Sequence, residues 1–87
     1  MSVAIIERKT VTDAEGESKL SEIYTITMTG NHTPQVKNYY RQSSFGNIFR
    51  GRRLDVIVLK NVELTEEALR EIAPCLKPDG QLVEVPT

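Results

Sequence analysis

Leu54-Asp55-Val56-Ile57-Val58-Leu59 (residues 54–59) carries apolar side chains at both odd and even positions. A strand with one wet face alternates with a period of two, so apolar residues on both parities point to a strand covered on both sides. The period then changes. Ala68, Leu69, Ile72, Ala73 and Leu76 recur at helical spacing and make one apolar stripe. Thr65 stands where an N-cap is needed, and Glu66 and Glu67 suit the positive end of the helix dipole. Leu64 and Leu69 are spaced for a hydrophobic staple. Pro74 ends or kinks the helix, because it has no N–H for the preceding turn. Lys77-Pro78-Asp79-Gly80 reads as a turn, and Leu82-Val83-Glu84-Val85 as a last strand stopped by Pro86. A strand–helix–strand unit of this kind crosses over right-handed and leaves its strands parallel.

Upstream, Leu20, Tyr24, Ile26 and Met28 alternate with Ser21, Thr25, Thr27 and Thr29, which sets one face on a core and the threonines towards solvent. Val3 to Thr12 is rich in β-branched residues, and Asp13-Ala14-Glu15-Gly16-Glu17-Ser18 is a polar break with a glycine. Residues 3–12 and 20–29 therefore read as an antiparallel hairpin. Thr33-Pro34 is a helix start with cap and N1 proline, and Val36, Tyr39 and Tyr40 share a helical face as far as 41–44. An extended loop is the alternative there. The order is ββαβαβ. The expected fold is a single α+β domain over 1–87, with the hairpin joined to a C-terminal βαβ unit in a mixed sheet, helices on one face. The threonine face is then the wet side or a dimer surface.

Eighty-seven residues make one domain with a small core. Dimerisation is a natural way for such a chain to add buried area. The single cysteine, Cys75, excludes an internal disulfide framework, and a reducing compartment follows. The start of the chain lacks the basic flank and apolar length of a signal peptide, and no stretch reaches the roughly 18–20 apolar residues of a membrane span. A cytoplasmic protein without membrane contact is expected.

Residues 55–58, DVIV, and 66–83, EEALREIAPCLKPDGQLV, resemble the strand–helix–turn–strand found late in class I S-adenosylmethionine methyltransferases. The glycine-rich loop and the acidic ribose ligand that bind the cofactor in that family have no counterpart in this sequence. Neither that cofactor nor that activity is expected.

Charge is what sets residues 31–53 apart. Residues 1–22 hold three cations and five acids, 23–54 hold five cations and no acid, and 55–87 hold three cations and seven acids. Those sums, −2, +5 and −4, give the net −1. A molecule polarised in this way orients against a polyanion or another dipolar protein. Four of the five aromatics fall in the same segment. Lys37, Arg41, Arg50, Arg52 and Arg53 are thus candidates to hold phosphates, and Tyr39, Tyr40, Phe45 and Phe49 to stack on unpaired bases. Gly46 and Gly51 would let the backbone approach a ligand. Against this stands the plain alternative that the aromatics are core and the cations an ordinary solvated face.

No nucleophile–base constellation, phosphate loop or metal cluster stands out; His32 and Cys75 are single members of their kinds. Asp55 is expected to pair with Arg52 or Arg53, while Lys60 and Asn61, at a strand's carboxyl end, are placed for a ligand site but read rather as a solvated turn. A non-enzymatic binding module for a nucleic acid strand or other polyanion, with no metal or cofactor, is the first expectation. The second is a small protein-interaction factor, an inhibitor or assembly subunit of the phage-accessory kind. It would use the same segment or the hairpin face on an acidic protein partner or a second copy.

Overall fold

The computed structural model describes residues 2–30 and 34–85. In chain order the elements are β1 (Val3–Glu7), β2 (Thr10–Thr12), β3 (Ser18–Leu20), β4 (Tyr24–Thr29), β5 (Gln35–Tyr39), α1 (Phe45–Phe49), β6 (Leu54–Lys60), α2 (Glu66–Ile72) and β7 (Leu76–Val85). Short 3-10 turns lead into α1 (Gln42–Ser44) and out of α2 (Ala73–Cys75). Five strands form one mixed sheet in the order β5-β4-β1-β6-β7. The β1–β4 and β4–β5 pairs are antiparallel, and the β1–β6 and β6–β7 pairs are parallel. The protein is a small single α+β domain.

Register decides which parity is core. Ala4 lies between Met28 and Ile57, and Ile6 between Ile26 and Leu59. With Leu54 at the start of β6, these six side chains form the sheet's contribution to the buried cluster, and Phe45, Phe49, Ile72 and Cys75 close over them. Both helices therefore cover the same sheet face. Its second face carries Val3, Ile5, Val56 and Val58, all half-buried by their neighbours, together with Thr25, Thr27 and Thr29.

The expected hairpin forms, but as two ladders. β1 pairs with β4, while β2 and β3 make a separate two-stranded ribbon. The break falls at Arg8-Lys9 and Ser21-Glu22-Ile23, where the Arg8 amide donates across to the Lys60 carbonyl and Ser21 N–H to the Lys9 carbonyl. The ribbon is exposed throughout, so Leu20 is not part of the core although its parity matches Ile26. At the tip, the Asp13 carboxylate accepts from the Glu15 and Glu17 amides, and Gly16 takes φ +83°, the left-handed region that glycine enters without penalty.

The expected helix over 34–44 is the largest difference. Residues 35–39 are an edge strand on β4, with Tyr39 beside Tyr24 and Val36 beside Thr27. Pairing with β4 satisfies one side of this backbone at once, whereas a helix of that length stands alone as a marginal structure. The helix comes later and is short, beginning where Phe45 and Phe49 can both turn inwards. The proposed Thr33 cap, His32 and the Pro86 stop lie outside the described residues.

α2 follows the expected chemistry at its start. Thr65 is the N-cap, and its hydroxyl accepts from the Ala68 amide at 3.1 Å. Thr65→Ala should cost about 1 kcal/mol, seen as a lower urea midpoint at unchanged slope. The buried stripe is narrower than the sequence suggests. Ala68, Ile72 and Cys75 are buried, but Leu69 is 41% exposed and Ala73 is exposed, so the Leu64–Leu69 staple does not enclose Leu69. A single layer of short helix covers only the positions spaced four and then three residues apart. The 77–80 turn is absorbed into β7 as a bulge, since Leu54 pairs with Leu76 and Val56 already with Gln81. A Cβ on Gly80 would stand 3.0 Å from the Leu54 and Lys77 carbonyl oxygens, which is why glycine occupies this crossing.

Candidate functional site

The five cations of the 37–53 segment are all exposed. Lys37 sits on β5 opposite Ile26, so it leaves the sheet on the helix side, beyond the edge of the core. Arg41 follows the end of β5 at which Tyr39 meets Tyr24. Arg50 caps α1, and Arg52 and Arg53 precede β6. Leu54 opens β6 beside the Val3 end of β1, so these last arginines lie at the opposite end of the sheet from Arg41. A five-residue strand is about 17 Å long. The cations therefore form no single cluster: this basic flank runs diagonally from Lys37 and Arg41 at the β5 edge to Arg52 and Arg53 at the start of β6, three strands across the sheet.

Among the described residues, the ion pairs are Arg70–Glu66 at 3.9 Å and Lys77–Asp55 at 3.2 Å. Neither uses a cation of the flank. Arg50 is the least independent of the five: it borders a hollow of about 320 Å³ between α1 and α2 together with Arg70 and Glu71. Glu71 also reaches over Gly46, where a Cβ would stand 2.5 Å from its carboxylate. The close approach that Gly46 permits is thus to α2 of the same chain. Gly51, at φ +75° with open space around it, serves the turn into β6.

The aromatics divide. Phe45 and Phe49 are fully buried and offer no face to a base. Tyr39 is half-buried, and Tyr39 and Tyr24 both meet the Phe45 ring edge-on, at 6.1 Å and 5.3 Å between centroids. These contacts are core packing of the kind aromatic rings prefer. Tyr40 alone of the four is open, at 71% exposure, beside a hollow of about 360 Å³ shared with Val11, Leu20 and Ile23. Local pattern does not separate these cases, because the end of β5 and the short α1 both accept aromatics and lie only a few residues apart.

Asp55 does not pair with Arg52 or Arg53. Its carboxylate accepts from the Ser2 amide at 2.7 Å and from Lys77 Nζ at 3.2 Å. The Ser2 hydrogen bond, with the Lys77 contact second, holds the carboxyl below the usual carboxylate range. A folded value below the unfolded one adds stability that is complete above the unfolded value and disappears as pH falls through the folded one. The stability difference between wild type and Asp55→Asn should accordingly be constant near neutrality and shrink below about pH 4, the ordinary aspartate value. Urea midpoints measured from pH 7 to pH 2.5 read this directly.

The Cys75 thiol is buried and donates to the Phe49 carbonyl, tying the end of α1 to the end of α2. Burial raises its pKa, against a smaller opposing pull from Arg53, and the side chain packs in the core cluster.

Two residues not singled out from the sequence organise the other end of the sheet. Gln42 Nε2 donates to Tyr24 Oη and to the Glu63 carbonyl, and its Oε1 accepts from the Thr65 amide. The Arg8 guanidinium lies 5.2 Å from the Tyr24 ring centroid and donates to the Ser21 carbonyl. With Asn61, Glu63 and Glu84 they border a hollow of about 710 Å³ where the parallel strands end. Asn61 there adopts φ +60°, a conformation asparagine tolerates. Two acids against one arginine make this hollow a poor anion site. A polar glutamine followed by serines carries no signal in sequence for such a bridging role.

No protein-family model matches the chain, and neither a curated protein nor a solved structure matches it significantly.

Proposed function

We propose that the protein is a non-enzymatic binding module that holds a polyanion, in the first instance a nucleic acid strand, along the flank formed by β5 and the α1–β6 turn. The observation that carries this reading is the charge: five exposed cations from Lys37 to Arg53, with no acid in the segment and no ion pair to any of them among the described residues. Lys37, Arg41, Arg52 and Arg53 are the principal phosphate contacts, and Arg50 contributes less because Glu71 is close. With Phe45 and Phe49 in the core, stacking falls to Tyr40, supported by the partly open Tyr39. Affinity therefore comes mainly from the backbone charge of the ligand, and little base preference is expected.

The loss of two stacking rings also gives weight to a second reading. An exposed tyrosine beside arginines is the composition of protein-interface anchors, and an acidic protein could use the same flank. Amide shifts in a titration with a mixed-sequence single-stranded oligonucleotide, and separately with a poly-glutamate peptide, distinguish the two. Shifts at 37–41 and 50–53 with the oligonucleotide at much lower concentration support the nucleic acid reading. Equal response to both ligands supports a general acidic partner, and no response to either contradicts both.

A further inference from the structure

We infer that the hollow between Tyr40 and the β2–β3 ribbon is a subsite for one unpaired nucleobase, so that the protein takes single strands in preference to duplex. The inference rests on the polyanion reading of the flank and adds to it a second wall, the ribbon, which carries no cation of that flank. Among the described residues, five large apolar side chains are at least 40% exposed, and three of them, Val11, Leu20 and Tyr40, border this one hollow. The Tyr40 ring is the free one. Tyr24 and Tyr39 meet Phe45 edge-on, and Arg8 lies over Tyr24, whereas no ring or cation contact among the described residues engages Tyr40. A free π-face is what an unstacked base needs.

The surroundings divide the ligand's chemistry. Inside the hollow, Lys19 and Glu22 offset each other, and the rest of the lining is Val11, Leu20, Ser21 and Ile23. That lining suits an uncharged, flat ring and has no net charge to draw in a phosphate. The charges a strand needs stand just outside, at Arg41, the next residue after Tyr40, and at Lys37. A strand laid along this end of the flank therefore places its phosphates on the cations and one base on the ring. A volume of about 360 Å³, at the small end of ligand pockets, suits one base rather than several. The ribbon wall is also held before any ligand arrives. Ser21 N–H donates to the Lys9 carbonyl at 2.8 Å, the Ser21 carbonyl accepts from Arg8 Nε, and the Ser21 hydroxyl accepts from the Ile23 amide at 3.1 Å. A preformed wall lowers the ordering cost of binding. Within a duplex the bases are paired and stacked, and reaching the ring requires their extrusion.

Anisotropy titrations with three labelled ligands of equal length test this: a mixed-sequence single strand, its duplex, and a strand of abasic sugars. Tyr40→Ala should bind the mixed-sequence strand about tenfold more weakly, as the loss of one stacked base implies, at an unchanged slope of log K against log salt. Tyr40→Phe should bind like wild type. Leu20→Ser, on the exposed ribbon and away from the sheet, should fall between the two and gives the same comparison with Tyr40 intact. Wild type and Tyr40→Ala should bind the abasic strand alike, and the duplex alike. Equal binding of the mixed-sequence strand by wild type and Tyr40→Ala overturns the subsite and leaves the charged flank in place. An equal loss on the abasic strand also overturns it, because the ring then holds no base and is left to a protein partner. No salt-dependent binding of any of the three contradicts the flank reading and the inference with it.

Discussion

Phe45→Ala should destabilise the domain by about 3–5 kcal/mol, the range for deleting a fully buried aromatic ring. Phe45 is where the fold closes: its ring meets Tyr24 of β4 and Tyr39 of β5 at once, and it is the first residue of α1. Its loss leaves a cavity that a five-residue helix cannot collapse to fill. For a domain of this size a total stability of about 5–10 kcal/mol is ordinary, so the substitution should remove a large part of it. Tyr40→Ala is the contrasting case. With most of its surface already in water, it should change stability by less than about 0.5 kcal/mol. Urea titrations of the two variants beside wild type read both outcomes. A large loss at Tyr40 would mean that the ring has a structural role, and it could then no longer be offered to a ligand.

The second large effect falls on binding. Replacing Arg41, Arg52 and Arg53 together by alanine should weaken single-stranded nucleic acid binding on the order of 100-fold at 0.1 M salt. Each phosphate contact to a single strand contributes about 0.7 to the slope of log K against log salt. Three lost contacts thus remove about 2 from the slope, and about two decades of affinity at that salt relative to 1 M. All three side chains are exposed and make no ion pair among the described residues, so the variant should unfold at the same urea concentration as wild type. Equal affinity of the triple variant and wild type would remove the flank from consideration. Arg50→Ala should have a smaller effect than any of the three, because Glu71 lies across the same hollow.

The strand–helix–strand unit was readable because period and cap agreed there, although the 77–80 turn became a bulge within β7. Apolar residues of both parities in 54–59 gave β6 its central place, and Thr65 gave α2 its start. The region 34–49 was not readable for a physical reason. Val36, Tyr39 and Tyr40 satisfy a short helical face and a strand equally well, and what decides is the free edge of β4, a partner distant in sequence. The candidate site inherited that ambiguity. Its cations could be listed from the chain, since arginines at a surface need no particular element to hold them. Which aromatics were free depended on where α1 began, and that was set by packing against Ile6, Ile26 and Ile57 rather than by any local signal. Asp55 illustrates the same limit: its partners, Ser2 and Lys77, are brought to it by the β1–β6 and β6–β7 pairings.

A fluorescence-anisotropy titration of labelled single-stranded DNA, single-stranded RNA and duplex, at two salt concentrations, bears most directly on whether this flank holds a polyanion. If four cations contact the strand, log K should fall with log salt at a slope near −3. Binding that persists unchanged as salt rises, or no binding to any of the three at low salt, would contradict a charge-driven nucleic acid module.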